Sequence, residues 1–439
     1  MKMKLVVLSL CALSSFTASA LTMQEAINEA INSHPDILAA KNEQLAVNEE
    51  VSRARAGYLP TVNVSLGKGW EESNNTTTRN NAIINNVSED LGLNRDEASI
   101  QVRQMLFDGM ATKNEVERQA ERHASRTHRV ISESERIALE TVRVYTDVLR
   151  RQKLVKLAED NYLAHETTHE QIKMRGDFGV GRRSDMIQSE GRLALAKTNL
   201  LSEMSNLKDA EVAFVRVVGQ QPENLTEPLL DGMAFPESIE DILSHANMHH
   251  PALKVANADV SSATAQNAAS SAPFFPRFDL ELSATSNNNI DGVRGSNQDM
   301  SAMLRMQYNL YNGGADKARK QETAYLLSQA SEIRNDTIRQ IEEEARFAWN
   351  ALQTLNEQMA FFELHVSSSE ETLEAYLQQF SLGQRTLLDL LDSKNELLVS
   401  SQALVNAKYD TVYTSYRVLN SIGDLLPSVS GITPTDASN

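Results

Sequence analysis

The sequence predicts a mixed α and β membrane protein, mostly long helices, made from one unit of about 200 residues used twice. Three observations carry that expectation. First, His34-Pro35 and His250-Pro251, then Pro60 and Pro276, recur at one offset of about 216, and Gln104-Met105-Leu106-Phe107-Asp108-Gly109 is matched by Tyr308-Asn309-Leu310-Tyr311-Asn312-Gly313. An internal repeat decides architecture before any single element does. Second, Met110 to Arg175 and Ala315 to Leu382 run for about 66 and 68 residues without Gly or Pro. At ~1.5 Å per residue each would form a helix of roughly 100 Å. Third, a pair of alternating apolar and polar segments precedes each long run.

In chain order, the first twenty residues carry Lys2 and Lys4, an apolar run from Leu5 to Ala12 and then Ala18-Ser19-Ala20. That is the layout of a secretory signal with a small-residue cleavage site, leaving 419 residues from Leu21. Cys11 is the sole cysteine and lies inside this segment, so the exported chain is expected to hold together by packing and assembly without disulfides. The first repeat is placed at 21–220, a connector at 221–236, the second repeat at 237–424 and a tail at 425–439. Helical hairpins are expected at 110–218 and 315–422, each with a glycine-containing turn before its second arm. Helices this long need a neighbour along their course.

The strand pairs are expected at about 60–107 and 276–311. Val62, Val64 and Leu66 alternate with Asn63, Ser65 and Gly67, and Ile100 and Val102 with Gln101 and Arg103. Phe278, Leu280 and Leu282 alternate with Asp279, Glu281 and Ser283, and Leu304, Met306, Tyr308 and Leu310 with Arg305, Gln307 and Asn309. One apolar face over such a length suits lipid on one side and water on the other, or equally an ordinary half-buried sheet. The Asn- and Ser-rich stretches Glu71 to Asn94 and Ser286 to Asp299 are expected to be loops beyond a rim. Four strands cannot close a barrel, and an open edge in lipid leaves backbone groups unpaired. Copies must therefore pool strands; two give eight and three give twelve.

Charge narrows the partners. Loss of Lys2 and Lys4 takes the net charge from −17 to about −19, which speaks against nucleic acid or an anionic lipid surface. Beyond the leader, no segment approaches ~18 consecutive apolar residues, so a spanning helix is not expected.

The Gly57-Tyr58-Leu59-Pro60 strand entry, the two repeated strand exits, and Phe380-Ser381-Leu382-Gly383-Gln384-Arg385-Thr386-Leu387-Leu388-Asp389-Leu390-Leu391-Asp392 resemble the TolC family of outer-membrane channels. The likeness runs in order along nearly the whole exported chain. It implies a homotrimer whose twelve pooled strands form one outer-membrane β-barrel, continued into the periplasm by an α-barrel of long helices, with short helices near Met23 to Ser33 and Glu237 to Met248 in a belt around the middle of that tunnel. It also implies passive export alongside a periplasmic membrane-fusion adaptor and an inner-membrane ABC transporter or proton-driven pump, with no cofactor and no enzymatic activity.

The resemblance assigns roles to particular residues. Asp389 and Asp392 match the carboxylates facing the pore at the closed periplasmic end. Their spacing of three puts both on one helical face, and symmetry would make each a ring that attracts cations. Thr386 followed by Asp389 also reads as a capping-box start, which needs no pore. Arg385 matches the arginine tying the inner hairpin to its neighbour, and Asp185 its acidic partner. Phe380 stands where the family's type member has a tyrosine, so a hydroxyl link at the gate is missing. Gly181, Arg182, Arg183 and Gly383 fall on the turns that meet the adaptor. The first turn, Gly179-Val180-Gly181-Arg182-Arg183-Ser184, is shorter by about two residues than its counterpart and carries two arginines where drug-efflux members often have small or apolar residues. In that it resembles the LapE/AggA-like branch serving type I secretion, with an adhesin or repeat-rich toxin as cargo; multidrug efflux and a secreted coiled-coil rod are the alternatives.

Other motifs compete. His165-Glu166-Thr167-Thr168-His169 fits the H-E-x-x-H pattern of zinc proteases, yet it sits in a long polar helical run without a third ligand or a glycine-bounded loop. His249-His250 before Pro251 reads as a helix boundary. Arg150-Arg151-Gln152-Lys153 reads as a solvated face, with contact to a neighbouring helix as the alternative, and Glu342-Glu343-Glu344 as a solvated acidic face.

Overall fold

A computed structural model of the chain describes residues 20–179, 181–228, 235–236 and 238–430. The expected signal segment up to residue 19, Val180, residues 229–234 of the connector, Glu237 and residues 431–439 of the tail lie outside the described residues. Two compact units divide the rest: one holds residues up to Ala39, Val130–His250 and those from Gln340, the other Ala40–Arg129 with Pro251–Arg339.

The repeat shows in the elements. In chain order these are α1 (Met23–Ser33), α2 (Pro35–Arg55), β1 (Thr61–Ser73), α3 (Thr76–Asn85), β2 (Leu91–Phe107), α4 (Ala111–Asp177) and α5 (Arg183–Val218). After the connector come α6 (Ile239–His249), α7 (Pro251–Ala269), β3 (Arg277–Asn288), β4 (Ser296–Gln307), α8 (Ala315–Ser381), α9 (Leu387–Ser421) and α10 (Leu425–Ser430). The chain is mostly helical, with one small antiparallel sheet. α2 and α7 fill the stretches between the repeated His-Pro pairs and the strands, equivalent helices for which no expectation was stated. His34 and His250 end α1 and α6 in extended backbone, as a residue before proline prefers, and their N–H groups close on Ala30 O at 2.8 Å and Ala246 O at 3.0 Å.

The unit holding the hairpin ends of α4, α5, α8 and α9 has a conventional apolar core. α1 starts at a Thr22–Glu25 capping box and buries Met23, Ala26, Ile27, Ala30 and Ile31, one stripe at helical spacing. Buried Tyr145 lies 6.2 Å from Phe214, ring centre to ring centre; its hydroxyl lies 2.7 Å from both Leu21 O and Thr226 O, its one hydrogen available to either, and accepts from Thr226 N at 2.9 Å. α10 departs from the expected plain tail. The carboxylate of Glu135, on α4, accepts from Leu426 N at 3.1 Å and Asn420 Nδ2 at 3.2 Å, and burial raises its pKa to about 7. The basic run is solvated at Gln152 and Lys153 and also makes the neighbouring-helix contact: Arg150 pairs with Asp410 on α9 at 3.0 Å, and exposed Lys153 pairs with Glu227 at 3.2 Å. Glu344 likewise meets Arg417 at 2.8 Å. Charge runs on a long helix face neighbours over part of their width, which a one-helix reading of the sequence does not capture.

The other unit holds the sheet, an antiparallel meander in the order β1-β2-β3-β4. Val64 pairs with Ile100, Ile100 with Ala284 and Ala284 with Met300, and two residues on Val62, Val102, Leu282 and Ala302 form the next row. All even-numbered, these residues make one continuous apolar face. Val64, Leu66, Met300 and Leu304 on it are exposed, Met300 to 89 %. The odd-numbered face is polar: Glu281 takes Arg103 at 2.9 Å and Arg305 at 2.8 Å, and Ser283 meets Ser301 at 2.8 Å. The strands run deeper into the Asn- and Ser-rich stretches than expected. β1 reaches Ser73 and β3 reaches Asn288, because cross-strand backbone pairing continues where side-chain alternation fades. The β2–β3 register slips by one residue at Leu106, between the pairs Met105–Asp279 and Phe107–Phe278, and Gly109 then turns the chain at φ +68. A Cβ there would lie 2.6 Å from Ala272 O, so the repeated strand exit needs its glycine.

Placing arginine on the apolar face should block membrane assembly where the polar face tolerates it. Leu282→Arg is expected to cost ~2–4 kcal/mol at the bilayer midplane and to deplete assembled protein from outer-membrane fractions, while neighbouring Ser283→Arg assembles normally. Equal assembly of both variants would contradict the lipid-facing assignment.

Candidate channel gate at the helical turns

The expected pore residues sit where α9 begins. Thr386 is its N-cap: its hydroxyl accepts from Asp389 N at 3.2 Å, and Asp389 Oδ2 accepts from Thr386 N at 3.3 Å and from its hydroxyl at 2.9 Å. Asp389 thus belongs to a complete capping box. Asp392 is bound by Arg192 of α5 at 2.9 Å, a partner 200 residues away in sequence. Glu396 extends the same face and meets His365 Nε2 at 2.8 Å. These three carboxylates, with Ser369, Thr372 and Tyr376, line a polar groove between α8 and α9. Glu396 was legible from its i, i+3, i+7 relation to Asp389 and Asp392; Arg192 carried no such signal.

The rest of the expected gate is spread out. Arg385 stacks over Tyr376 at 4.1 Å, donates to Gln379 Oε1 at 2.8 Å and lies 3.9 Å from Asp389. Asp185 opens α5 and accepts from Ser184 Oγ at 3.2 Å, so among the described residues it is not joined to Arg385. Phe380 packs on Ile172, Leu387 and Leu391, with the Arg175 guanidinium 5.2 Å from its ring centre.

The two turns differ in construction. After α8, Gly383 sits at φ +73 and Gln384 N returns to Gln379 O at 2.9 Å, a Schellman close that leads into the Thr386 cap. After α4, Gly181 N returns to Arg175 O at 2.9 Å, and a Cβ on Gly181 would lie 2.8 Å from Gly176 N. The N-cap of α5 is Arg182, whose side chain makes no capping bond, and Arg182 and Arg183 are exposed.

The H-E-x-x-H residues lie one hairpin turn away and diverge. His169 Nδ1 meets Ser189 Oγ at 2.9 Å, and Tyr162 donates to Glu166 at 2.8 Å. His165 is 6 % exposed beside Lys394, 8 % exposed, whose ammonium donates to Ala164 O at 2.7 Å and Thr168 Oγ1 at 2.5 Å. Burial, with Lys394 and Arg192 nearby, pushes the His165 imidazole down to about 4, and burial pushes Lys394 down to about 8. Among the described residues no three metal-ligating side chains gather.

A sheet with one lipid-compatible face and two pairs of long helical arms, in a tandem repeat, are the parts of a membrane channel subunit. The family model described as Outer membrane efflux protein matches residues 26–220 and 242–424, and the chain belongs to this TolC-like family of outer-membrane channels. It is similar to the outer membrane efflux protein BepC of Brucella suis, 25 % identical over 97 % of this chain and 91 % of that one. It is also similar to the alkaline protease secretion protein AprF of Pseudomonas aeruginosa, 22 % identical over 90 % and 82 %. The solved structure of CusC shares the fold, with a TM-score of 0.79 over 91 % of each chain at 15 % identity. The chain is therefore an outer-membrane channel protein that extends into the periplasm.

Two buried histidines and buried Glu135 contribute opposing pH responses to the helical unit. His250, like His165, is pushed down to about 4 by burial. Both unfolded imidazoles take up protons that the folded chain refuses, so their contribution to stability is lost as pH drops from about 6.5 toward 4, while Glu135, raised to about 7 by burial, contributes in the opposite direction over that window. His165→Gln should flatten that loss in circular-dichroism melts of detergent-purified protein; an unchanged slope would remove His165 as a source.

Proposed function

We propose that this channel is the outer-membrane component of a type I secretion machine, working as a homotrimer with a periplasmic membrane-fusion adaptor and an inner-membrane ABC transporter to export a large protein such as an adhesin or repeat-rich toxin. The observation that carries this reading is the turn at Gly181-Arg182-Arg183. It is tight, uncapped by a side chain and presents two guanidinium groups outward, an adaptor-contact surface suited to an acidic counterpart. Gly383, on the smoother second turn, completes the pair of contact sites. Relatives named for protease secretion, AprF among them, support the same branch. Multidrug efflux is the competing role, since BepC is named as an efflux protein. The experiment is a deletion strain scored for both. Loss of the surface adhesin or secreted toxin with unchanged drug susceptibility supports protein export, and the reverse pattern assigns efflux.

In this reading Asp389 and Asp392 line the periplasmic aperture, with Arg385, Asp185 and Phe380 holding the turns closed. The Arg192–Asp392 pair tempers the charge of that aperture. Arg192→Ala should free Asp392 and increase cation preference in planar bilayers, while Asp389→Ala with Asp392→Ala should weaken it and relieve block by multivalent cations. Unchanged selectivity in both well-inserted variants would take these residues out of the pore.

A further inference from the structure

The β1–β2 connection holds a helix where the sequence led us to expect a loop, and its placement is informative. α3 begins at Asn75, whose side chain accepts from Thr77 N at 2.9 Å and Thr78 N at 3.1 Å, with Thr78 Oγ1 accepting from Asn75 N at 2.9 Å. This capping box makes a ten-residue helix tenable in a rim segment. Thr78 and Ala82, one turn apart, are its two buried residues.

The helix leans across the sheet. Asn75 Nδ2 donates to Asp291 O at 2.8 Å, in the β3–β4 turn, which β2 and β3 separate from β1. Gly292 of that turn sits at φ +74, and a Cβ there would lie 2.4 Å from Thr78 Cγ2 and 3.1 Å from Ser73 Cβ. Nothing larger than glycine fits between them. Asn289 Nδ2 also donates to Asn94 O at 3.0 Å, tying the two hairpin ends together.

Strand parity then decides which side α3 occupies. In β1 and β2 the two buried residues are Ser73 and Leu93. Both are odd-numbered and so belong to the polar face that carries Arg103, Glu281 and Arg305, while the exposed apolar residues are even-numbered. α3 therefore lies on the water side of the sheet, at the end remote from the long helices. On its outward surface Ile83 and Ile84 are 80 % and 77 % exposed, and Val87 follows just beyond its end at 62 %.

We propose that α3 of each protomer folds inward over the outer mouth of the barrel and that Ile83, Ile84 and Val87 dock against the same residues of the other copies, closing the mouth with an apolar constriction. The inference rests on the pooled-strand barrel. Twelve strands at ~4.8 Å spacing and a tilt near 40° enclose a radius on the order of 12 Å. A helix with side chains is ~10–12 Å across, so three of them lining that wall meet near the axis. Three isoleucine-rich surfaces that would otherwise face water gain burial by meeting, and an apolar ring of this kind obstructs ions by dewetting.

The test uses the exported full-length chain, in which Ile84→Cys would be the sole cysteine once the leader holding Cys11 is gone. Oxidation of the detergent-purified protein should join two of the three chains, so that about two thirds of the material migrates as disulfide-linked dimer on a non-reducing gel. Ile83→Cys serves as a second variant, and Met300→Cys on the lipid-facing surface is expected to remain uncrosslinked. A trimer by native mass with no Ile84 or Ile83 disulfide overturns the constriction alone. A chain that never assembles as a trimer overturns the barrel reading beneath it.

Discussion

The constraint on which everything else depends is that a backbone in lipid has no water to bond with. The sheet leaves β1 and β4 each with one free edge, and its even-numbered face offers lipid a surface of Val, Leu, Ile, Ala and Met. An unpaired strand edge in hydrocarbon costs several kcal/mol for each orphaned group, so the sheet is stable there only when copies complete it. Assembly is thus a condition of membrane residence and not a later embellishment. α8 answers the same need outside the membrane. Ile341, Ala345, Ala348 and Leu352 bury a seam at coiled-coil spacing, while Phe347, Phe361 and Leu364 remain exposed for further helices.

Within the helical unit, charge is handled by pairing across helices. Asp392 meets Arg192, Arg150 meets Asp410, and Glu344 meets Arg417, each bond joining residues far apart in the chain. Lys394 differs: its ammonium is buried with a carbonyl and a hydroxyl as neutral acceptors, and burial, reinforced by this ammonium, keeps the neighbouring His165 neutral. The H-E-x-x-H motif is consumed by this arrangement, its three polar side chains turned to Ser189, Tyr162 and the surroundings of Lys394. A pattern of five residues on a long helix carries little information about what the opposing helix brings to it.

The two halves retain the same plan but have diverged where they meet the outside. His34 and His250 cap equivalent helices, and Gly109 and Gly313 turn equivalent strand exits at positive φ. In contrast, the second half closes its helical turn with a Schellman bond and a capping box, whereas the first half uses Gly181 and an arginine N-cap. The first half alone inserts α3 between its strands, and the second alone supplies the compact Asp291–Gly292 turn that receives it. Duplication supplied a symmetric scaffold; the asymmetry is concentrated at the rim and the tips, where partners, cargo and other copies are met.

Much was determined by the sequence itself. Repeat offsets, glycine-free runs and strict alternation specify long helices and amphipathic strands because 3.6- and 2-residue periods are local properties of the chain, and the Thr386–Asp389 cap was visible for the same reason. The tertiary structure decided what proximity alone can decide. It set Arg192 against Asp392 and buried Lys394 beside His165. It also raised α3 out of an Asn- and Thr-rich stretch whose weak apolar pattern gave no helical signal, since that helix depends on a glycine more than 200 residues away to leave room for Thr78. Local periodicity is written in neighbouring residues, whereas pairing between distant ones exists only once the chain has folded and the apolar surfaces have chosen their partners.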